Sequence, residues 1–131
     1  MKILIIAALF LSAGVRAAEP VKSPLKVCVK WSREIPDAQA AGAGLFESVT
    51  RVDGKAPFPG CDIVIETESF GVGWFMRAYM KEAVLSPCGT RLGRYSFHYK
   101  GDLWQAKLVT GLHEFLTKHP EVVVAAKDCK P

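Results

Sequence analysis

The sequence predicts a small mixed domain in which helices pack on a β-sheet, in the order β-α-β-α-β-α-β and stabilised by disulfides. Three observations support this prediction. The hydrophobic pattern changes along the chain between the period of a strand and that of a helix, short segments with glycine or proline separate these stretches, and the chain contains four cysteines. Strict alternation favours an α/β sandwich, whereas strands that are polar on one face suit an open α+β sheet equally well, so the strand order stays open.

The first 17 residues have the three-part pattern of a cleavable secretory signal peptide. Lys2 precedes an apolar run over residues 3–11, and small residues follow up to Ala17. The apolar run is shorter than the roughly 20 residues that cross a bilayer, and a buried N-terminal strand or helix is the alternative interpretation. We therefore predict cleavage near Ala17, export to the periplasm or the exterior, and a linker over residues 18–24.

Cleavage at this point leaves 114 of the 131 residues, which suits one globular domain over residues 25–131. The loss of Lys2 and Arg16 lowers the formal net charge from +4 to +2. So small a charge gives no argument for a nucleic acid partner. No second segment is long and apolar enough to predict a membrane span.

The first half of the domain is predicted to contain two strands around one helix. Apolar and polar side chains alternate over residues 25–32, which is typical of a half-buried strand. Pro36 begins a helix whose apolar residues keep helical spacing as far as Val52, although two glycines weaken it by up to about 1 kcal/mol each. An Asp-Gly pair ends this helix, and the second strand follows over residues 62–67.

The most regular amphipathic helix of the chain is predicted over residues 72–84, where apolar residues recur at i, i+3, i+4, i+7 and i+8. A third strand follows over residues 91–100 and has three aromatic side chains on one face: Tyr95, Phe97 and Tyr99.

The last predicted helix begins after Asp102, which has the character of an N-cap. It ends at His119, because the residue before a proline disfavours helical backbone. The apolar run over residues 122–126 then predicts a buried fourth strand.

An even number of cysteines in a short exported chain indicates two disulfides. Cys28, Cys61, Cys88 and Cys129 allow three pairings. We favour Cys28–Cys129, which would join the ends of the domain, and Cys61–Cys88, which would enclose one helix. A zinc site or a reactive thiol is the alternative, but no CxxC pair is present and the gaps are long.

No motif predicts a catalytic, cofactor or metal site. His113 and Glu114 are followed by His119, but this gap of six turns the two histidines about 240° apart on a helix, whereas a zinc site needs a gap of four. Two Gly-x-Gly fragments do not complete a nucleotide-binding loop. The alternative is a small hydrolase that uses the side chain of Asp62, Glu66 or His98.

The candidate partner-binding residues lie in three places. Pro57, Phe58 and Pro59 form a stiff loop that could display an aromatic anchor, unless Phe58 folds back onto the rim of the core. Trp74 departs from the apolar stripe of its predicted helix. A basic set runs from Arg77 to Lys100 and includes Arg91 and Arg94. It could meet an acidic partner or an anionic envelope polymer, or form a solvated face.

The segment QAKLVTGLHEFLTKHPE, from Gln105 to Glu121, resembles a helix of the type VI secretion amidase-immunity proteins of the Rap/Tai kind. Proteins of that family carry an early Gln, an apolar helix and a closing His-Pro-Glu. The resemblance implies a periplasmic, disulfide-bonded and mostly helical protein that neutralises a toxin that cuts the cell wall. It covers about an eighth of the chain, and no binding residue is carried over from it.

Together these features predict an exported, non-enzymatic protein-binding domain of the inhibitor or immunity type. Its expected partner is a secreted effector or a component of the cell envelope. An accessory factor of an envelope secretion or pilus machine is the first alternative, and a small periplasmic hydrolase is the second.

Overall fold

The computed structural model describes residues 22–129 of the chain. The predicted signal peptide and most of the predicted linker lie outside the described residues. Within them the elements are, in chain order, β1 (Ser23–Lys30), α1 (Pro36–Gly42), β2 (Phe46–Val52), β3 (Ile63–Val72), β4 (Ala78–Leu85), β5 (Arg91–Tyr99), α2 (Trp104–Lys118) and α3 (Pro120–Lys127). No helix in this part of the chain is both long and apolar enough to span a membrane.

The five strands form one mixed sheet in the order β2-β1-β3-β4-β5. Strand β1 is parallel to both of its neighbours, so Val27 lies opposite Val49 of β2 and Ile63 of β3. Strands β3, β4 and β5 are antiparallel and form a meander. The predicted class, a mixed sheet covered by helices and stabilised by disulfides, is confirmed, and its arrangement is α+β.

One face of the sheet packs against the helices and forms the main core. Alternation along β1 directs Leu25, Val27 and Val29 into this core, as the sequence predicts. The predicted apolar stripe of α2 covers them, with Leu108, Val109, Leu112 and Leu116 buried. Each such side chain contributes about 1.5–3 kcal/mol when it is removed from water.

Three of the element predictions are wrong. Strand β2 replaces the second half of the first predicted helix, and β4 with the end of β3 replaces the helix predicted over residues 72–84. Residues 122–126, predicted as a strand, belong to helix α3. Pro120 lies in the first turn of α3, where proline is well accommodated because it has no amide hydrogen to leave unpaired.

The favoured disulfide pairing is also wrong, because the bonds join Cys28 to Cys61 and Cys88 to Cys129. Cys28 lies on the sheet face opposite the helices, where the loop before β3 brings Cys61 to a Cα–Cα distance of 5.8 Å. Cys88 lies in the β4–β5 turn and meets the end of α3 at the same distance. The second bond therefore fastens α3 to the sheet.

Removal of the second disulfide in a Cys88→Ala, Cys129→Ala variant is expected to lower the free energy of unfolding by about 2–4 kcal/mol, because it releases a loop of 41 residues in sequence. Urea unfolding measures the loss, and hydrogen exchange should locate the first opening in α3. Equal stability of the variant and the native protein under oxidising conditions would contradict this expectation.

Candidate functional site

The β3–β4 hairpin ends in an exposed apolar turn. Strand β1 pairs with β3 only as far as Glu66, so the later part of β3 has β4 as its only partner strand. In the turn beyond this ribbon, Trp74, Phe75 and Met76 are 87%, 90% and 85% exposed. We call these three residues the apolar tip.

Backbone hydrogen bonds give the apolar tip a defined shape. The Gly73 amide donates to the Arg77 carbonyl at 2.8 Å, and the Arg77 amide donates to the Trp74 carbonyl at 3.3 Å. Phe75 and Met76 have φ angles of 58° and 60°, in the left-handed region that side chains other than glycine rarely adopt. Such conformations cost free energy and persist only where the surrounding structure holds them. They are concentrated at functional sites.

Apolar exposure in the described residues is concentrated around this turn. Within residues 22–129, Val124 on α3 is the one large exposed apolar side chain that lies elsewhere. The other large exposed apolar side chains lie at the end of β3, in the apolar tip and in the neighbouring turn before α2: Phe70, Val72, Trp74, Phe75, Met76 and Leu103. Exposed apolar patches are typical of interaction surfaces, which makes this turn the candidate site.

A groove of about 450 Å³ lies between the apolar tip and the start of α2. Phe75 and Met76 line one part of it, and the charged part is lined by Arg77, His98, Lys100 and Lys107. The ammonium group of Lys107 donates a hydrogen bond to the His98 carbonyl at 2.7 Å. We call this feature the basic groove, since no carboxylate is among its lining side chains.

The predicted partner-binding residues do not lie together. Trp74 belongs to the apolar tip, on a hairpin and not on the predicted helix. Arg91 lies at the opposite end of β5 from Tyr99, which pairs with Ala78 beside the apolar tip, and Arg94 lies three residues after Arg91. Arg91 forms an ion pair with Glu68, so this arginine is already neutralised within the molecule.

The interpretation of Phe58 as an exposed anchor is wrong. Its side chain is 6% exposed and packs with the Cys28–Cys61 disulfide, Val64 and Leu85 on the sheet face opposite the helices. The Phe58 amide also donates to the Pro87 carbonyl at 2.8 Å. Pro57 and Pro59 are exposed on either side, and the loop covers a part of the sheet that would otherwise expose apolar side chains.

The structure does not bring the three suggested hydrolase residues together. Asp62 accepts a hydrogen bond from the Lys26 amide at 2.8 Å, and Glu66 forms an ion pair with Lys30 at 3.6 Å. Across the sheet, the register places Glu66 level with Arg94. His98 lies four residues further along β5, which is about 13 Å at the rise of a strand.

The two histidines near the end of α2 have separate surroundings. His113 packs edge-on against Phe46, with ring centroids 5.5 Å apart, and His119 contacts Glu121 at 3.2 Å. Between residues 22 and 129, no group of three or more His, Cys, Asp or Glu side chains is placed to hold a metal ion.

Glu82 is the titratable residue that sequence reasoning missed. It lies on the helix-facing side of β4, is 1% exposed, and accepts a hydrogen bond from the Thr67 hydroxyl, which is 2.8 Å from each carboxyl oxygen. Burial raises the pKa of this carboxyl to about 8. The predicted helix concealed it, because the alternation of a strand is what directs this side chain into the core.

Comparison of the chain with protein-family models finds no match, and the search of curated proteins finds no significant similarity.

Proposed function

We propose that this chain is an exported, non-enzymatic protein-binding domain of the inhibitor or immunity type, which recognises its partner through the apolar tip. The observation that carries the proposal is the near-complete exposure of three consecutive apolar side chains, Trp74, Phe75 and Met76. Aromatic residues and methionine are enriched in protein interfaces, where a few such side chains supply most of the binding free energy.

The shape of the hairpin supports an inhibitory mode of binding. The turn is convex, its backbone is closed by two hydrogen bonds, and its two strands continue into the five-stranded sheet. A preformed projection loses little conformational entropy when it binds. Insertion of such a projection into the cleft of a partner would exclude that partner's own substrate.

The two disulfides support export. All four cysteines are paired and none is free, and such bonds persist in oxidising compartments such as the periplasm. This argument is independent of the predicted signal peptide. Both arguments are consistent with a partner in the cell envelope or among secreted proteins.

Replacement of the apolar tip by serine, in a Trp74→Ser, Phe75→Ser, Met76→Ser variant, is expected to weaken the complex at least about 100-fold, as expected when interface hot spots are lost. The partner is first captured in the envelope fraction of the source organism by a photoreactive amino acid at position 75. Its affinity for the native chain and for the variant is then measured with purified proteins. If it is an enzyme, the native chain should inhibit it and the variant should not.

Val124→Ser is the matched control, since this exposed apolar residue lies on α3 and not on the hairpin. It should bind the partner like the native chain. Equal crosslinking from positions 75 and 124, or an unchanged affinity of the serine variant, would remove the apolar tip from the binding site. Binding without inhibition, accompanied by a defect in assembly of an envelope machine, would favour an accessory factor.

A further inference from the structure

We propose that the basic groove binds an acidic segment of the same partner, so that the apolar tip and the groove form one site with two parts. This inference rests on the proposed function. Phe75 and Met76 belong to both parts, since they form the tip and also line the groove. A partner segment seated on the tip therefore continues directly into the groove.

The cationic side chains that line the groove have no carboxylate partner among the described residues. None of Arg77, Lys100 and Lys107 forms an ion pair with a described residue. Among the other described Lys and Arg side chains, four form ion pairs, in Lys30–Glu66, Arg51–Glu34, Arg91–Glu68 and Lys118–Glu114, and seven do not. What distinguishes the groove is that three cationic side chains and no carboxylate line one depression, which is a local concentration of positive charge that an anion would relieve.

The small net charge of the chain means that positive charge is a property of the groove and not of the whole surface. Without the predicted signal peptide the formal net charge is +2, so the surface is not basic throughout. Three cations in one groove create a local positive potential that attracts an acidic partner and guides its approach. The planar guanidinium of Arg77 can also hold a carboxylate through two parallel hydrogen bonds.

The form of the groove favours a protein segment over a membrane surface. A concave groove of about 450 Å³ beside a convex tip is complementary to a surface with both a cleft and a protruding acidic segment. A bilayer could receive the apolar tip, but it has no fixed protrusion that would fill the groove. The expected occupant is therefore an acidic protein segment that contributes Asp or Glu side chains.

The test uses the mature chain and acetylated hexaglutamate amide as the probe, with hexaglutamine amide as the neutral control. Amide chemical shifts of Arg77, Lys100 and Lys107 should change in a saturable way with hexaglutamate only. Because the interaction is between charges near the surface, the dissociation constant should rise at least about fivefold from 50 to 300 mM NaCl.

An Arg77→Gln, Lys100→Gln, Lys107→Gln variant should lose the response to hexaglutamate and should bind the partner captured at position 75 at least about tenfold more weakly. A Lys22→Gln, Lys55→Gln, Lys127→Gln variant has the same change of charge at exposed positions outside the groove and should behave like the native chain. Far-UV circular dichroism checks that both variants fold.

The outcomes separate this inference from the proposed function. If hexaglutamate shifts no groove resonance, or both glutamine variants respond alike, the acidic-segment inference is wrong even when the apolar tip still binds its partner. If no protein is captured and the native chain instead sediments with phosphatidylethanolamine–phosphatidylglycerol vesicles through its apolar tip, the site faces a membrane and both proposals are wrong.

Discussion

Glu82→Gln is expected to stabilise the protein above neutral pH by up to about 5 kcal/mol, with little effect near pH 4.5. The native carboxyl is buried on the helix-facing side of β4 and has a pKa of about 8, against an ordinary value of 4.5. Glutamine has nearly the same shape and no charge. It can keep a hydrogen bond with the Thr67 hydroxyl, so it removes the cost of ionising a buried group.

The sign of this effect follows from the protons that each state binds. The unfolded chain releases the Glu82 proton near pH 4.5, whereas the folded protein holds it to about pH 8. Between these values the folded state binds more protons, so the free energy of unfolding decreases as the pH rises. The interval between these two pH values corresponds to a loss of about 5 kcal/mol in the free energy of unfolding. This is a large part of the stability of a small domain.

Urea unfolding at several values between pH 4.5 and pH 8.5 measures the difference between the native protein and the variant. Glu47→Gln is the control, because Glu47 is an exposed residue on β2, and its curve should run parallel to that of the native protein. A difference between Glu82→Gln and the native protein that does not change with pH would contradict the expectation.

Phe58→Ala is expected to lower the free energy of unfolding by about 3–5 kcal/mol and to leave partner binding intact. The ring is buried in the smaller apolar cluster, with Cys28, Cys61, Val64 and Leu85 around it. Truncation would remove its contacts and leave a cavity against the sheet. This is the effect of a structural residue, in contrast to the binding anchor that the sequence suggested.

Phe75→Ala provides the opposite case, since its ring is 90% exposed in the apolar tip. Its unfolding free energy should change by less than about 0.5 kcal/mol, while its affinity for the partner should fall. The two variants are compared by urea unfolding and by binding at a temperature where both are folded. Loss of binding by Phe58→Ala with unchanged stability would show that the loop, and not the hairpin, is the binding surface.

The hydrophobic pattern of the sequence was sufficient to predict an element where one of its faces meets the core and the other meets water. Strand β1 alternates because its apolar residues face the helices, and α2 has its apolar stripe for the same reason. Strand β5 likewise directs Tyr95 and Phe97 towards the helices. In these elements the period of the pattern reports the backbone conformation directly.

The prediction of a helix over residues 72–84 was wrong because β4 carries buried apolar side chains on both of its faces. Met80 and Val84 face the helices, whereas Ala83 and Leu85 face the loop that carries Phe58. Because both faces of β4 are buried, its sequence does not show the apolar–polar alternation of a strand. The exposed apolar tip also lengthens the apolar stretch at its start. The apolar residues then coincide with helical spacing by chance.

The prediction of a strand over residues 122–126 was wrong for a related reason. Val122 and Ala126 are buried, whereas Val124 is exposed although it is apolar. A continuous apolar run therefore does not distinguish a buried strand from a helix that buries one face. The contacts of α3 with the core and the disulfide at Cys129 fix the helix in its place.

The sequence by itself determined the class of the fold, the positions of β1, β5 and α2, and the presence of two disulfides, because each depends on local pattern or composition. The tertiary structure decided the strand order, the cysteine pairing, the burial of Phe58 and Glu82, and the meeting of the apolar tip with the basic groove. These depend on which distant segments become neighbours across the sheet, and no local period encodes that choice. The candidate site belongs to the second group, since Phe75 and Lys107 line one groove only after β3, β4 and β5 have paired and α2 has packed beside them.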